Sequence, residues 1–277
     1  MGLPDRARRL IVNADDFGRS PSINDAVIRA HNDGILTSAS LMVNEPACDA
    51  AVELARKNPN LGVGLHLSLV CGKSALSEER MSGLVNSNQE FSNNAVSSGM
   101  RFFFLPRLKA QLRDEIEAQF KKFRSTGLRL DHVNGHLNIH LHPVVFAILM
   151  ENAERWGIRH LRLTSDPLTL NFQLAGGNLF YRLSHGLIYK SLSNWARPKL
   201  AAGGIRHTKN VFGLLQNACV DEKFLASLLP RLPLGDSELY SHPSLHDFKH
   251  EFDALVSPRV RTAVRELGIQ LIRYQDL

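Results

Sequence analysis

The sequence predicts an α/β chain folded as a single barrel-like domain over residues 1–277. Three observations predict it. Short apolar runs alternate with amphipathic stretches along most of the chain, the rhythm of parallel strands joined by crossover helices. Asp15, Asp16, Asn44, His66, His136 and His242 fall at or near the C-terminal ends of those runs, where barrels of this kind carry their sites. A chain of 277 residues, 44% hydrophobic, can bury one large core, and it shows no internal repeat.

The first element is the run Arg9-Leu10-Ile11-Val12-Asn13-Ala14, which ends in Asp15 and Asp16. Ser20 and Pro21 supply an N-cap and a first helical position. Ile23, Val27 and Ala30 follow at helical spacing, and Gly34 closes the helix. Residues 37–44 read as a strand ending at Asn44, and 46–58 as a second helix. Residues 62–69 alternate: Val63, Leu65, Leu67 and Leu69 share one face, Gly62, Gly64, His66 and Ser68 the other. His66 thus lies among small residues, with room beside it for a ligand.

Residues 72–104 break the rhythm. They are rich in Ser, Asn and Gly and end in Phe102-Phe103-Phe104. Such a stretch is either a lid over the strand ends, its aromatic cluster tucked onto the body, or a plain surface insertion. Residues 107–125 form a helix with the stripe Leu108, Leu112, Ile116, Phe120 and Phe123, and with Arg113–Glu117 and Glu117–Lys121 at i,i+4. A strand at 128–134 leads into a histidine-rich turn. A helix over 143–156 and a strand over 159–164 follow.

Residues 166–205 interleave aromatic and basic side chains, either as a peripheral helix pair or as a surface for a membrane or a greasy substrate. The rhythm resumes with a helix at 221–230, a strand at 236–241 running into His242-Pro243, a helix at 257–267 and a strand at 269–274.

Net charge is +6, with no Lys/Arg block of the kind that binds nucleic acid. A basic balance of this size suits an anionic lipid surface at most. Cys48, Cys71 and Cys219 are scattered and odd in number, which fits a reducing compartment. Residues 1–6 lack the apolar core of a signal peptide, and no apolar run is long enough to span a bilayer. The expectation is a cytoplasmic protein, with peripheral contact at the inner membrane face left open.

Two adjacent carboxylates at a strand end repel each other unless a cation lies beside them. A divalent metal relieves this and leaves one carboxylate free for proton transfer. The plainer alternative is that Asp16 caps a loop and Asp15 is solvated. Four of the 12 histidines crowd into residues 132–142. One Asp plus two His gives three ligands with positions open for water and substrate, the catalytic rather than the structural pattern. Such a set suggests metal-assisted hydrolysis: the metal activates water and polarises a carbonyl, the free aspartate takes a proton, and a histidine protonates the leaving group. A phosphoesterase or a non-catalytic sugar- or lipid-binding barrel uses similar parts. Oxygen-plus-imidazole ligation admits Mg²⁺, Zn²⁺, Mn²⁺ or Co²⁺.

The blocks Asn13-Ala14-Asp15-Asp16-Phe17-Gly18, Gly64-Leu65-His66-Leu67, His132-Val133-Asn134-Gly135-His136 with His140 and Pro143, and Ser241-His242-Pro243 together resemble the YdjC-like family of metal-dependent carbohydrate deacetylases. That resemblance implies an irregular, TIM-like (β/α) barrel that binds one divalent ion, Mg²⁺ or Zn²⁺, through Asp16, His66 and His136. It implies Asp15 as general base and His242 as candidate general acid; Asn44, at a strand end, and His140, in the histidine-rich turn, are candidate substrate-binding residues. It also implies a homodimer. Asn134 departs from the family, where many members carry Asp, and Leu137-Asn138 departs where relatives often carry histidines. Residues 34–43, 101–104 and 267–274 resemble the subfamily associated with hopanoid biosynthesis. This implies removal of acetate from an N-acetylated amino sugar on a hopanoid lipid.

Overall fold

The computed structural model describes residues 7–174, 176, 179–216 and 218–277. Residues 1–6, on which the signal-peptide expectation falls, and part of the 166–205 segment lie outside the described residues.

Among the described residues seven strands run parallel to their neighbours: β1 (Arg8–Phe17), β2 (Ser38–Leu41), β3 (Gly62–Leu67), β4 (Val133–Gly135), β5 (Asn210–Phe212), β6 (Gly235–Ser241) and β7 (Gln270–Leu271). They form one curled sheet in the order β4-β3-β2-β1-β6-β5, with β7 beside the first part of β1. Single bridges join the two edges, Val133 to Leu161 and His160 to Arg206. The α/β architecture and the barrel-like closure thus follow the expectation, but closure is irregular. Residues 159–164 are a bridged stave rather than a regular strand, because β4 and β5 beside them are three residues each.

β1 sits mid-sheet and is almost entirely buried, which explains its unbroken apolar run. The helix Pro21–Asp33 is capped by Ser20 with Pro21 at its first position, and the helix Leu108–Ser125 buries its five predicted apolar residues. Of its predicted ion pairs, Lys121–Glu117 forms at 3.9 Å, while Arg113 turns to Glu151 on the next helix.

Other elements differ from expectation. The helix predicted over 143–156 breaks at Asn152, whose side chain donates to the Ile148 carbonyl, leaving Pro143–Glu151 and Ala153–Trp156. The helix Lys249–Val256 was not legible in the sequence. The last strand shrinks to Gln270–Leu271, because a tight turn pinned by Arg273 and Asp276 swings Tyr274 into the barrel floor.

Residues 72–104 hold two helices, Glu78–Met81 and Ala95–Phe104, and of the closing trio Phe102, Phe103 and Phe104 only Phe102 is buried. Residues 166–205 pack as helices Leu168–Leu174 and Leu179–Ala202. The longer helix buries Gly186, Ser193, Ala196 and Leu200 and exposes Leu179, Phe180, Leu183, Leu187 and Ile188. No helix among the described residues is long and apolar enough to cross a membrane.

Candidate active site

The site starts from a defect in β1. Its register with β2 shifts between Ala14 and Phe17, and Asp16 adopts a left-handed backbone with φ 64°. An extended strand points successive side chains to opposite faces. The bulge and the left-handed turn re-aim Asp16, and such strain at a strand end is held only where its surroundings enforce it. Gly18, with φ 92°, completes the turn, and a Cβ there would lie 3.1 Å from the Met42 carbonyl oxygen.

Asp16 meets two imidazoles. His136 Nδ1 lies 2.9 Å and His66 Nε2 3.4 Å from Asp16 Oδ1. One ligand atom from each of the three residues lies within 4.8 Å of the others, and all three side chains are buried. Arg19 donates to Asp16 Oδ2 at 2.8 Å, so one oxygen is held by a guanidinium and the other faces the histidines. Burial alone would raise the Asp16 pKa, but His136 and His66 outweigh it and hold the carboxyl well below its usual range. Burial alone would lower His136, but the Asp16 charge outweighs that and raises it.

These donors suit a divalent cation. His66 Nδ1 lies 2.7 Å from Asn134 Oδ1, an acceptor, so Nδ1 carries the proton and the Nε2 lone pair is left to face Asp16. Oxygen and imidazole donors without thiolate match the ions named from the sequence.

Asp15 is held differently. Arg162 NH1 donates to Oδ2 at 2.7 Å and NH2 to Oδ1 at 2.8 Å, a two-pronged pair. Asn13 and Asn134 add bonds to Oδ1 at 2.8 and 3.2 Å. Oδ1 is crowded, whereas Oδ2 takes Arg162 alone among the described side chains. Burial would raise the Asp15 pKa, but Arg162 and the neighbouring histidines overwhelm it and hold Asp15 ionised.

His242 stands at the end of β6, half-buried, with Nδ1 3.7 Å from Glu251 Oε2. Glu251 also accepts the His242 backbone N–H at 2.5 Å. Burial works to lower the His242 pKa, but Glu251, Asp15 and Asp16 together push it up to about 9. His242 therefore carries a proton near neutrality.

The tertiary structure thus brings together Asp15, Asp16, His66 and His136, with His242 in their field. Asn44 and His140 are engaged with partners of their own. Asn44 donates to the Lys73 carbonyl at 3.0 Å and to Glu115 at 3.3 Å, fastening the root of the 72–104 segment. His140 is wholly buried and its Nε2 bonds the Arg162 carbonyl at 3.0 Å, while burial and Arg162 push its pKa down to about 3. Both support the site's frame. The space beside Gly64 is filled from within: a Cβ there would lie 2.5 Å from the His132 ring.

Arg162, Glu251 and Arg19 escaped the sequence reading. Only Arg162 left a trace, a lone cation inside the apolar run Leu161-Arg162-Leu163.

The family model described as YdjC-like protein matches residues 9–266. A carbohydrate deacetylase of Geobacillus stearothermophilus is 38% identical, covering 97% of this chain and 98% of its own length. One of Thermoanaerobacter pseudethanolicus is 28% identical, covering 97% and 92%. A solved structure from Enterococcus faecalis, provisionally named for cellobiose-phosphate cleavage, superposes with a TM-score of 0.75 at 22% identity over 98% of both chains, a likeness of fold.

Proposed function

This chain belongs to the YdjC-like family, and from that premise we propose that it is a metal-dependent deacetylase of N-acetylated amino sugars. It is a hydrolase acting on amide C–N bonds, the class to which its carbohydrate deacetylase relatives point. The observation that carries the metal-dependent reading is the convergence of Asp16, His66 and His136 beside a second, separately held carboxylate.

Asp16, His66 and His136 would hold the ion, Mg²⁺ or Zn²⁺. When bound, it supplies Lewis acidity for the acetamide carbonyl and for water. Asp15 accepts the proton of the attacking water at Oδ2, the less crowded oxygen, while Arg162 fixes its orientation. His242 donates a proton to the departing amine, held in the charged form by Glu251. The Asn134 amide carries His66 on one side and Asp15 on the other, so Asn serves where a second carboxylate would face Asp15. On this reading Asn44 and His140 act through the frame they brace rather than directly on substrate.

The finer substrate reading is a sugar carried on a lipid such as a hopanoid. Its support is the apolar outer face Leu179, Phe180, Leu183, Leu187 and Ile188. Tyr189 of the same helix donates to the Leu137 carbonyl at 3.0 Å, tying that face to the loop that bears His136. On this reading 72–104 is a lid and the chain works at the cytoplasmic membrane surface.

The test is acetate release from N-acetylglucosaminyl substrates, soluble and lipid-linked, with and without chelator. Release that a chelator leaves unchanged would overturn the metal-dependent reading. Turnover of soluble sugars with none of the glycolipid would overturn the lipid reading alone.

A further inference from the structure

The barrel interior holds a second chain of buried polar groups leading away from the site. Arg162 Nε donates to Glu238 Oε1 at 2.8 Å, and its NH2 group, which also donates to Asp15 Oδ1, lies 2.8 Å from the same Glu238 oxygen. Its guanidinium lies 4.1 Å from the centre of the Tyr240 ring. Glu238 Oε2 accepts the hydroxyl of Tyr274. Tyr274, Glu238, Arg162 and Asp15 are all almost wholly buried, at 0%, 0%, 1% and 3% exposure, so none of these bonds is shared with bulk water.

Tyr274 is delivered by the C-terminal turn. Its ring stacks on His132 at 4.2 Å between centroids. The turn is fastened by the Gln275 N–H to Asp131 at 3.0 Å and by Arg9 to the Asp276 carbonyl at 2.6 Å.

A lone guanidinium between two carboxylates has two competing partners. Glu238 must hold Arg162 firmly enough to fix its plane, yet leave two N–H groups aimed at Asp15. A hydroxyl donated to the far oxygen of Glu238 draws charge from that carboxylate and fixes its rotation. Its removal leaves a buried carboxylate oxygen unpaired, which draws Arg162 toward Glu238 and away from Asp15.

We propose that Tyr274 is a positioning residue for the hydrolytic step, acting on the base Asp15 through Glu238 and Arg162. The C-terminal turn is thereby part of the catalytic apparatus, although it lies at the opposite end of the barrel from the metal ligands. This inference rests on the deacetylase reading.

The test is Tyr274→Phe, which keeps the ring stacked on His132 and removes only the hydroxyl. Acetate release by the unaltered protein is measured first, and its absence counts against the deacetylase reading rather than the relay. In an active protein, Tyr274→Phe is expected to lower kcat by about tenfold, at the low end for supporting groups of a metal site, with KM and bound metal unchanged. Glu238→Gln is expected to lower kcat further. Tyr274→Phe should then cost little more in the Glu238→Gln background, because both changes break one relay. Equal kcat in Tyr274→Phe and wild type would overturn the proposal. So would the same fold-loss in both backgrounds, or a loss confined to KM or metal content. If Tyr274→Phe fails to fold, Glu238→Gln alone decides, and unchanged kcat in that variant likewise overturns the relay.

Discussion

Asn134 Oδ1 lies 2.7 Å from His66 Nδ1, and this one contact fixes the tautomer of His66 so that its Nε2 lone pair faces Asp16. The same amide donates to Asp15 at 3.2 Å and to Ser40 at 2.8 Å. One neutral side chain thus holds a ligand candidate and the base candidate in a single geometry. Replacing it with leucine frees the His66 ring. Asn134→Leu is expected to weaken divalent-metal affinity by about 10- to 100-fold, read by competition with a chelator of known affinity.

Asp15→Asn should retain metal, because Asp15 stands apart from the Asp16, His66 and His136 cluster. Turnover should fall by about 10²–10⁴-fold with loss of the base. The fully buried Arg162 would also lose a charged partner, so the variant should be less stable by about 3–5 kcal/mol in denaturant unfolding. Full activity in Asp15→Asn would refute the base assignment.

With His242 as the proposed acid, the alkaline limb of the pH profile is expected to report its titration. Its folded-state pKa of about 9 exceeds the usual histidine value of 6.5. As an acid it must be protonated, so kcat should fall as pH rises through the raised His242 value, which a cation held by Asp16 would bring below about 9. The linked stability has the same sense: it is fully present below about 6.5 and is lost as pH rises through about 9. Glu251→Gln should move the limb toward neutrality, and a limb that stays in place would remove His242 from that role.

If Asp16, His66 and His136 hold the ion, protons and metal compete for the same donors. Asp16 is held ionised and His136 is raised by their mutual attraction. Metal affinity should therefore fall as pH drops through the raised His136 value. Isothermal titration across a pH series measures this, and an affinity independent of pH would exclude His136 as a ligand. Chelation should also lower the melting temperature, with recovery on adding metal back.

Much of this was legible in the chain itself. The run from Arg9 into Asp15-Asp16, the capped helix after Ser20 and the stripe of Leu108–Ser125 are local patterns, and local patterns report burial directly. The spacing of Asp16, His66 and His136 at three strand ends also foretold their meeting, since a parallel barrel gathers such ends at one rim. The short staves were less legible. Residues 159–164 are apolar enough for a strand, but a ladder needs partners of equal length, and β4 and β5 are too brief to supply them.

The sequence alone determined the fold class and a set of carboxylates and histidines at one rim, because both follow from periodicity and from residue types at element ends, and the family resemblance singled out Asp16, His66 and His136 from that set. Only the tertiary structure decided how those groups are held. Arg162 reaches Asp15 across 147 positions and Asn134 reaches Asp15 across 119. Glu251 meets His242 through a helix whose sequence gave no warning. Such pairings depend on which side chains the closing barrel turns inward. That is set by packing around the whole ring, and no window of the chain contains it.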